Sequence, residues 1–315
     1  MSSAHPPHQH LAGGLLLATL GAIAFSGKAI IVKLAYRHGV DAVTLIMYRM
    51  LFALPIFLAM AVWASRGKPA LTRADWLGVL GLGLTGYYLA SFLDFAGLAY
   101  VSASFERLIL YLNPTLVLLL GRVLYRRPIG RRQMAGMAIS YLGVLLVFGH
   151  EVRLEGGQAV QGAVLVFLSA VCYAVYLSFS GELVRRLGSL RLVGLATSVA
   201  CVLCIGQFLL LRPLAAALVE PPVIGLSVLN ATLCTAAPVL MVMMAVERIG
   251  AGLAAQAGMV GPMSTVLMGV ALLGEPFTAW VALGTVLVLS GIFVVSNRAG
   301  QPPGRVTGLW QRFLK

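Results

Sequence analysis

Apolar residues come in this chain as blocks of about twenty, broken by short polar stretches, and that spacing leaves few folds open. A helix rising 1.5 Å per residue needs about that length to cross a hydrocarbon core roughly 30 Å thick. The blocks are continuous rather than alternating, which argues against the strands of a membrane barrel. Only 10% of the 315 residues are charged, too few to cover a water-facing surface. Ten helices are expected, at Leu11–Ala35, Val43–Ala64, Trp76–Ala99, Ser102–Tyr125, Met134–Phe148, Val160–Val184, Leu192–Leu211, Val223–Ala245, Ala251–Leu273 and Thr278–Val295. The fold class is all-α integral membrane.

A net charge of +13 would suggest nucleic acid in a soluble protein, but here most Arg and Lys residues sit in the connecting loops. With the N-terminus inside, sixteen basic residues fall on the cytoplasmic side and three to five on the other. That bias orients membrane proteins. Both termini are therefore expected in the cytoplasm of a multi-pass bacterial inner-membrane protein, whose surroundings are lipid and not nucleic acid. Cys172, Cys201, Cys204 and Cys234 all lie inside apolar blocks, with no His or carboxylate at ligand spacing. Packing is the expected role, with no metal site, disulfide or cofactor.

The chain also repeats itself at a fixed spacing of 148 residues, without gaps. Asn113-Pro114-Thr115 answers Gly261-Pro262-Met263, and Gly121 answers Gly269. Arg127-Pro128 answers Glu275-Pro276, while Gly136 and Gly143 answer Gly284 and Gly291. Gly14 answers Gly162, and Ala103 answers Ala251. Each copy holds five helices, an odd number, so the second must enter the membrane from the opposite side. Two inverted five-helix repeats are expected at residues 11–150 and 159–297, between a cytoplasmic tail at 1–10 and a basic cytoplasmic tail at 298–315. Inverted halves suit transport, because an outward-open state is then the mirror of an inward-open one.

Two five-helix halves, Pro114 in the fourth helix with Gly121 seven residues later, and Glu275-Pro276 between the last two helices together resemble the EamA-type ten-helix members of the drug/metabolite transporter superfamily. The resemblance spans residues 11–297 and is closer in the second half, at 248–252 and 272–276. The first half departs from it, since Arg127 stands where the family often has Glu; no coupling role is assigned to that turn. The resemblance implies a transporter, in a family that includes exporters of amino acids and other metabolites as well as importers. It also implies a central cavity lined by helices one, three, four, six, eight and nine.

Residues that only build the fold tend to recur in both repeats; residues that meet an asymmetric substrate need not. The ionisable groups within the blocks fall almost entirely in the first half: Lys28, Arg49, Asp94 and Glu106, with Arg107 beside the last. Their repeat images are Tyr176, Thr197, Val242 and Ala254, none of them charged. Each buried charge costs at least ~2.5–3.5 kcal/mol, so all four need partners, water or a ligand. Pairing of Lys28 or Arg49 with Asp94 or Glu106 is expected. The cluster reads as a substrate site, a gate or a structural fastener. Tyr87 and Ser91 share a helical face with Asp94; Asn113 shares one with Glu106, with Tyr111 alongside. Tyr173 and Tyr176 on helix six and Gln256 on helix nine complete the candidate binding or gating set, and Pro114 and Pro262 are expected to shape their helices.

No phosphate-binding loop is present, which argues against a pump driven by ATP. The reading is a secondary transporter, an exporter by expectation, moving a small metabolite such as an amino acid or another carboxylate by alternating access. Proton coupling through Asp94 or Glu106 and a homodimer are both compatible with it. No catalytic residue is assigned. An intramembrane enzyme and a channel-like facilitator are the alternatives.

Overall fold

A computed structural model describes residues 7–126 and 128–296, with side chains except at 7–10, 125, 154–155, 250–252, 255–256 and 296. The described chain is helical throughout. Among the described residues eight helices are long and apolar enough to cross a membrane: α1 (Leu11–Tyr36), α2 (Ala42–Ser65), α3 (Arg73–Leu98), α4 (Ala103–Leu124), α5 (Arg131–Arg153), α6 (Gly157–Leu187), α7 (Ser189–Leu211) and α8 (Pro221–Ile249). Two shorter apolar helices follow, α9 (Val260–Leu273) and α10 (Ala279–Val295). Large apolar side chains such as Val123, Leu142 and Val286 face outward, as a lipid-facing surface requires. Trp63, Trp76 and Trp280 stand exposed near helix ends, where indoles favour the membrane interface.

Local chemistry sets several boundaries. Asp41 caps α2, accepting from the N–H groups of Val43 (3.0 Å) and Thr44 (3.3 Å). Thr72 and Asp75 form a reciprocal capping box at the start of α3. A single glycine, Gly156, joins α5 to α6; its φ of 62° is a conformation that side-chain-bearing residues avoid.

The packing has the symmetry of the repeat. α1 runs along α8 and α9 of the second repeat, and its image α6 runs along α3 and α4 of the first. α2 packs on α7, and α5 on α10. The last pair records the twofold directly. A Cβ placed on Gly136 would lie 2.7 Å from the Gly291 carbonyl oxygen, and one on Gly143 would lie 2.8 Å from that of Gly284. Since Gly284 and Gly291 are the images of Gly136 and Gly143, the contact is reciprocal, as an isologous interface demands. Ser140 Oγ lies 3.4 Å from the carbonyl of Val288, its own image, so the axis passes there.

Three features differ from the sequence reading or were absent from it. The helix begins at Pro7, inside the expected tail, while the tails at residues 1–6 and 298–315 lie outside the described residues. Helical hydrogen bonding that enters α8 persists to Ala257, so the break falls at Gly258–Met259 rather than between Ala245 and Ala251. The Ala-rich sequence there is a better helix former than its glycines suggest. Finally, α3 and α8 each contain a π-helical segment, Gly83–Leu89 and Thr232–Ala236, the second lying within the repeat image of the first. π turns are rare and frequent at functional sites.

Candidate functional site

Five ionisable side chains meet between α1, α2, α3 and α4, all at most 6% exposed: Lys28, Arg49, Asp94, Glu106 and Arg107. Lys28 Nζ donates to Asp94 Oδ2 at 2.5 Å and stands 3.9 Å from Glu106 Oε1. Arg107 Nε lies 3.8 Å from Glu106 Oε2 and donates to Thr265 Oγ1 of α9 at 3.0 Å. A terminal nitrogen of Arg107 also reaches the carbonyls of Phe25 and Ser26, at 3.4 Å each. Lys28 and Arg107 both lie against the Phe25 ring, 5.5 and 5.6 Å from its centroid. Pairing at this burial is strong only where geometry and hydrogen bonding are good, and the Lys28–Asp94 contact meets that condition.

Arg49 does not join the carboxylates. Its Nε donates to Thr235 Oγ1 in the π segment of α8, at 3.1 Å, and its guanidinium lies 5.2 Å from the Phe95 ring centroid. The expected pairing thus holds for Lys28 and fails for Arg49, because Arg49 points across the repeat boundary towards α8. The five groups are three bases and two acids, and Arg49 is the base with no carboxylate within ion-pair distance among the described residues.

The remaining candidates divide. Tyr87 lies in the π segment of α3, and its hydroxyl meets that of Tyr176 at 3.1 Å; Tyr173 stacks on Tyr176 at 5.6 Å. Tyr87 and Asp94 therefore face different partners, on α6 and α1, because the π turns break the α-helical spacing that would align them. Ser91 is half-buried one turn before Asp94. Tyr111 sits at a break in α4 and donates to the Gly258 carbonyl at 3.1 Å, joining it to the break at Gly258–Met259. Asn113 Nδ2 closes the α4 break on the Leu110 carbonyl at 2.6 Å. Pro114 opens the helical segment after that break, and Pro262 lies in the first turn of α9. The side chain of Gln256 lies outside the described residues.

Several contacts at the cluster and above it join one repeat to the other. Ser26 Oγ donates to the Gly261 carbonyl at 2.8 Å. At the end bearing the α1–α2 loop, Glu275 accepts from the N–H groups of Ala103 (2.6 Å) and Ser104 (3.2 Å) and from Ser104 Oγ (2.6 Å). The Glu-Pro turn of the second repeat thus caps the helix that carries Glu106 and Arg107. The second repeat offers no such target, since its backbone stays helical from Ala237 to Ala257, so position 127 needs no acceptor. Arg127 itself lies outside the described residues. Replacing Glu275 by Ala should lower stability by about 1–2 kcal/mol, read as an earlier unfolding midpoint in detergent, whereas Gln should recover part of the loss. An unchanged midpoint in the Ala variant would show that the cap carries no stability.

At the same end Arg37 donates to the Leu273 carbonyl (2.6 Å), His38 meets Glu220 (2.6 Å) and Arg212 meets Asp41 (3.1 Å). Burial pushes the Asp41 carboxyl up, but hydrogen bonds from Thr44 and Val43 and the Arg212 charge outweigh it and hold the group below its ordinary range. At the opposite end, Arg186 pairs with Asp75 at 3.0 Å, and Arg191 reaches Ser65 Oγ (3.1 Å) and the Pro69 carbonyl (3.0 Å). Thr235 and Glu275 were not among the candidate site residues. Extending the repeat filter to uncharged polar positions would have raised Thr235, the image of Tyr87.

The chain is similar to known proteins. The model of the EamA-like transporter family matches twice, at residues 12–149 and 160–297. "Uncharacterized transporter YcbK" of Bacillus subtilis (strain 168) is 29% identical, over 96% of this chain and 95% of its own. An "Uncharacterized transporter" of Archaeoglobus fulgidus is 22% identical, over 91% and 98%. One solved crystal structure superimposes with a TM-score of 0.60 over 90% of this chain and 98% of its own, at 18% identity, and so shares the fold. With two inverted repeats, a buried charged cluster and a double family match, the chain is a multi-pass membrane transporter and belongs to the EamA-like transporter family.

Proposed function

We propose that the protein exports a small carboxylate-bearing metabolite, such as an amino acid, across the bacterial inner membrane by alternating access between its two repeats. The observation that carries this reading is the unmatched buried cation: two acidic groups face three basic ones, and Arg49 has no carboxylate within ion-pair distance among the described residues. A buried charge without a counter-ion calls for an anionic ligand. The end bearing the α2–α3 loop is cytoplasmic, as the excess of Arg and Lys there indicates. Export follows the resemblance to a family that includes amino-acid exporters as well as importers. Asp94 and Glu106 supply the proton-coupling groups.

The test is counterflow in proteoliposomes loaded with single amino acids or organic acids. Saturable uptake of one labelled carboxylate, competed by its unlabelled form and lost in Arg49→Ala, is the expected result. Uptake of cationic compounds alone would overturn the substrate class, and non-saturable flux would indicate a facilitator. Full retention of pH dependence in both Asp94→Asn and Glu106→Gln would remove proton coupling.

A further inference from the structure

We infer that the carboxylate is received at a subsite formed by Arg49 of α2 and by Thr235, Asn230 and Ser227 of α8, rather than by the Lys28–Asp94–Glu106–Arg107 network. This rests on the carboxylate reading above and assigns its place. In the network each cation faces a carboxylate, and the buried atoms without a hydrogen-bond partner among the described residues, Asp94 Oδ1 and both Glu106 oxygens, are acceptors that would repel an anion. The Arg49 side leaves donors open. Arg49 Nη1, Ser227 Oγ and both polar side-chain atoms of Asn230 are buried without a hydrogen-bond partner among the described residues. Ser227 is 0% exposed, Asn230 1% and Arg49 5%. A buried polar group left unpaired is costly, so several donors together mark a place that a ligand can complete.

The geometry joins these groups. Ser227 and Asn230 stand one turn apart on α8, on the stretch that packs against α1 and α2. Thr235 links the Asn230 backbone to Arg49: its hydroxyl donates to the Asn230 main-chain carbonyl at 2.8 Å and accepts from Arg49 Nε at 3.1 Å. The π segment places Thr235 five residues after Asn230 and in bonding contact with it, and the Thr235 hydroxyl takes only Nε of the guanidinium, leaving Nη1 without a partner among the described residues. Together the set offers a fixed positive charge, an amide donor and a hydroxyl donor. That combination suits a carboxylate, with charge-assisted bonds from Arg and neutral bonds from Asn and Ser.

The repeat supplies an independent indication. The first-half images of Ser227 and Asn230 are Val79 and Leu82, both apolar and buried. The fold is therefore built at these places with apolar side chains, and the polar ones in the second half are surplus to it.

The experiment uses the full chain purified in detergent. Unfolding midpoints are read with and without each proteinogenic amino acid and simple carboxylate, and with the matching amides. The parent should be stabilised by at least one carboxylate and not by its amide. The Ser227→Val/Asn230→Leu variant should unfold no earlier than the parent without ligand and should lose that stabilisation. Asn230→Asp, nearly isosteric, is read alongside in case the double variant does not fold, and it should lose the stabilisation by repelling the anion. Carboxylate stabilisation retained in the variants would overturn the subsite and leave the substrate class standing. A parent that no carboxylate stabilises would overturn the substrate class and the subsite together.

Discussion

Asp94→Asn destabilises the protein by about 3–5 kcal/mol and abolishes transport, an effect larger than that of losing the Glu275 cap. The carboxylate it removes is 1% exposed and accepts from Lys28 at 2.5 Å, so its loss leaves an ammonium buried with only Glu106, at 3.9 Å, to face. The cost comes from the stranded partner more than from the missing attraction. Lys28→Met with Asp94→Val should therefore recover most of the stability that Asp94→Asn loses, because a buried pair can be exchanged for apolar groups at little cost. Val242 already occupies the image of Asp94 in the second repeat. Transport should stay absent in the double variant if the pair acts in the cycle. Unfolding in detergent and counterflow in proteoliposomes separate the two effects. A double variant that transports normally would reduce the pair to a fastener.

The second large effect lies on the axis. A Cβ on Gly291 would meet Ser140 Oγ at 2.3 Å and the Gly136 carbonyl at 2.5 Å, and neither backbone can yield without parting α5 from α10. Gly291→Leu should cost about 3 kcal/mol or more, at or above the upper end of overpacking effects. Because the contact is reciprocal, Gly143→Leu should cost a comparable amount, with its Cβ 2.8 Å from the Gly284 carbonyl. Gly149 on the same helix has open space around its Cβ and serves as the control, expected to tolerate Leu. Unfolding midpoints check all three. A large loss at Gly291 beside none at Gly143 would contradict the reciprocity.

Much of this architecture is legible in the sequence, for reasons that differ by element. Span number follows from block length, and the repeat marks Gly136, Gly143, Gly284 and Gly291 as related positions; their contact, where only glycine lets two helix backbones come so close, appears in the structure alone. Lys28 and Asp94 are legible as partners because opposite charges in a membrane seek each other. The rest hides in local geometry. Nothing in the apolar sequences Gly83–Leu89 or Thr232–Ala236 distinguishes π from α winding, and that winding decides which way Tyr87 and Thr235 point. Arg49 is legible as a buried cation, but its partner is a hydroxyl on another repeat, and no charge pattern reveals that. The break at Gly258–Met259 is missed because three glycines between Gly250 and Gly258 compete for it.

The meeting of Ser140 with its own image has a mechanical meaning. In a cycle where the two repeats exchange conformations, the twofold carries each state onto the other, and a point on the axis is carried onto itself. The α5–α10 seam is then a fulcrum: its neighbours are the same whichever side is open, while displacement grows with distance from it. The Glu275 turn and the Asp75–Arg186 pair, at opposite ends of the molecule, are the long arms of that lever.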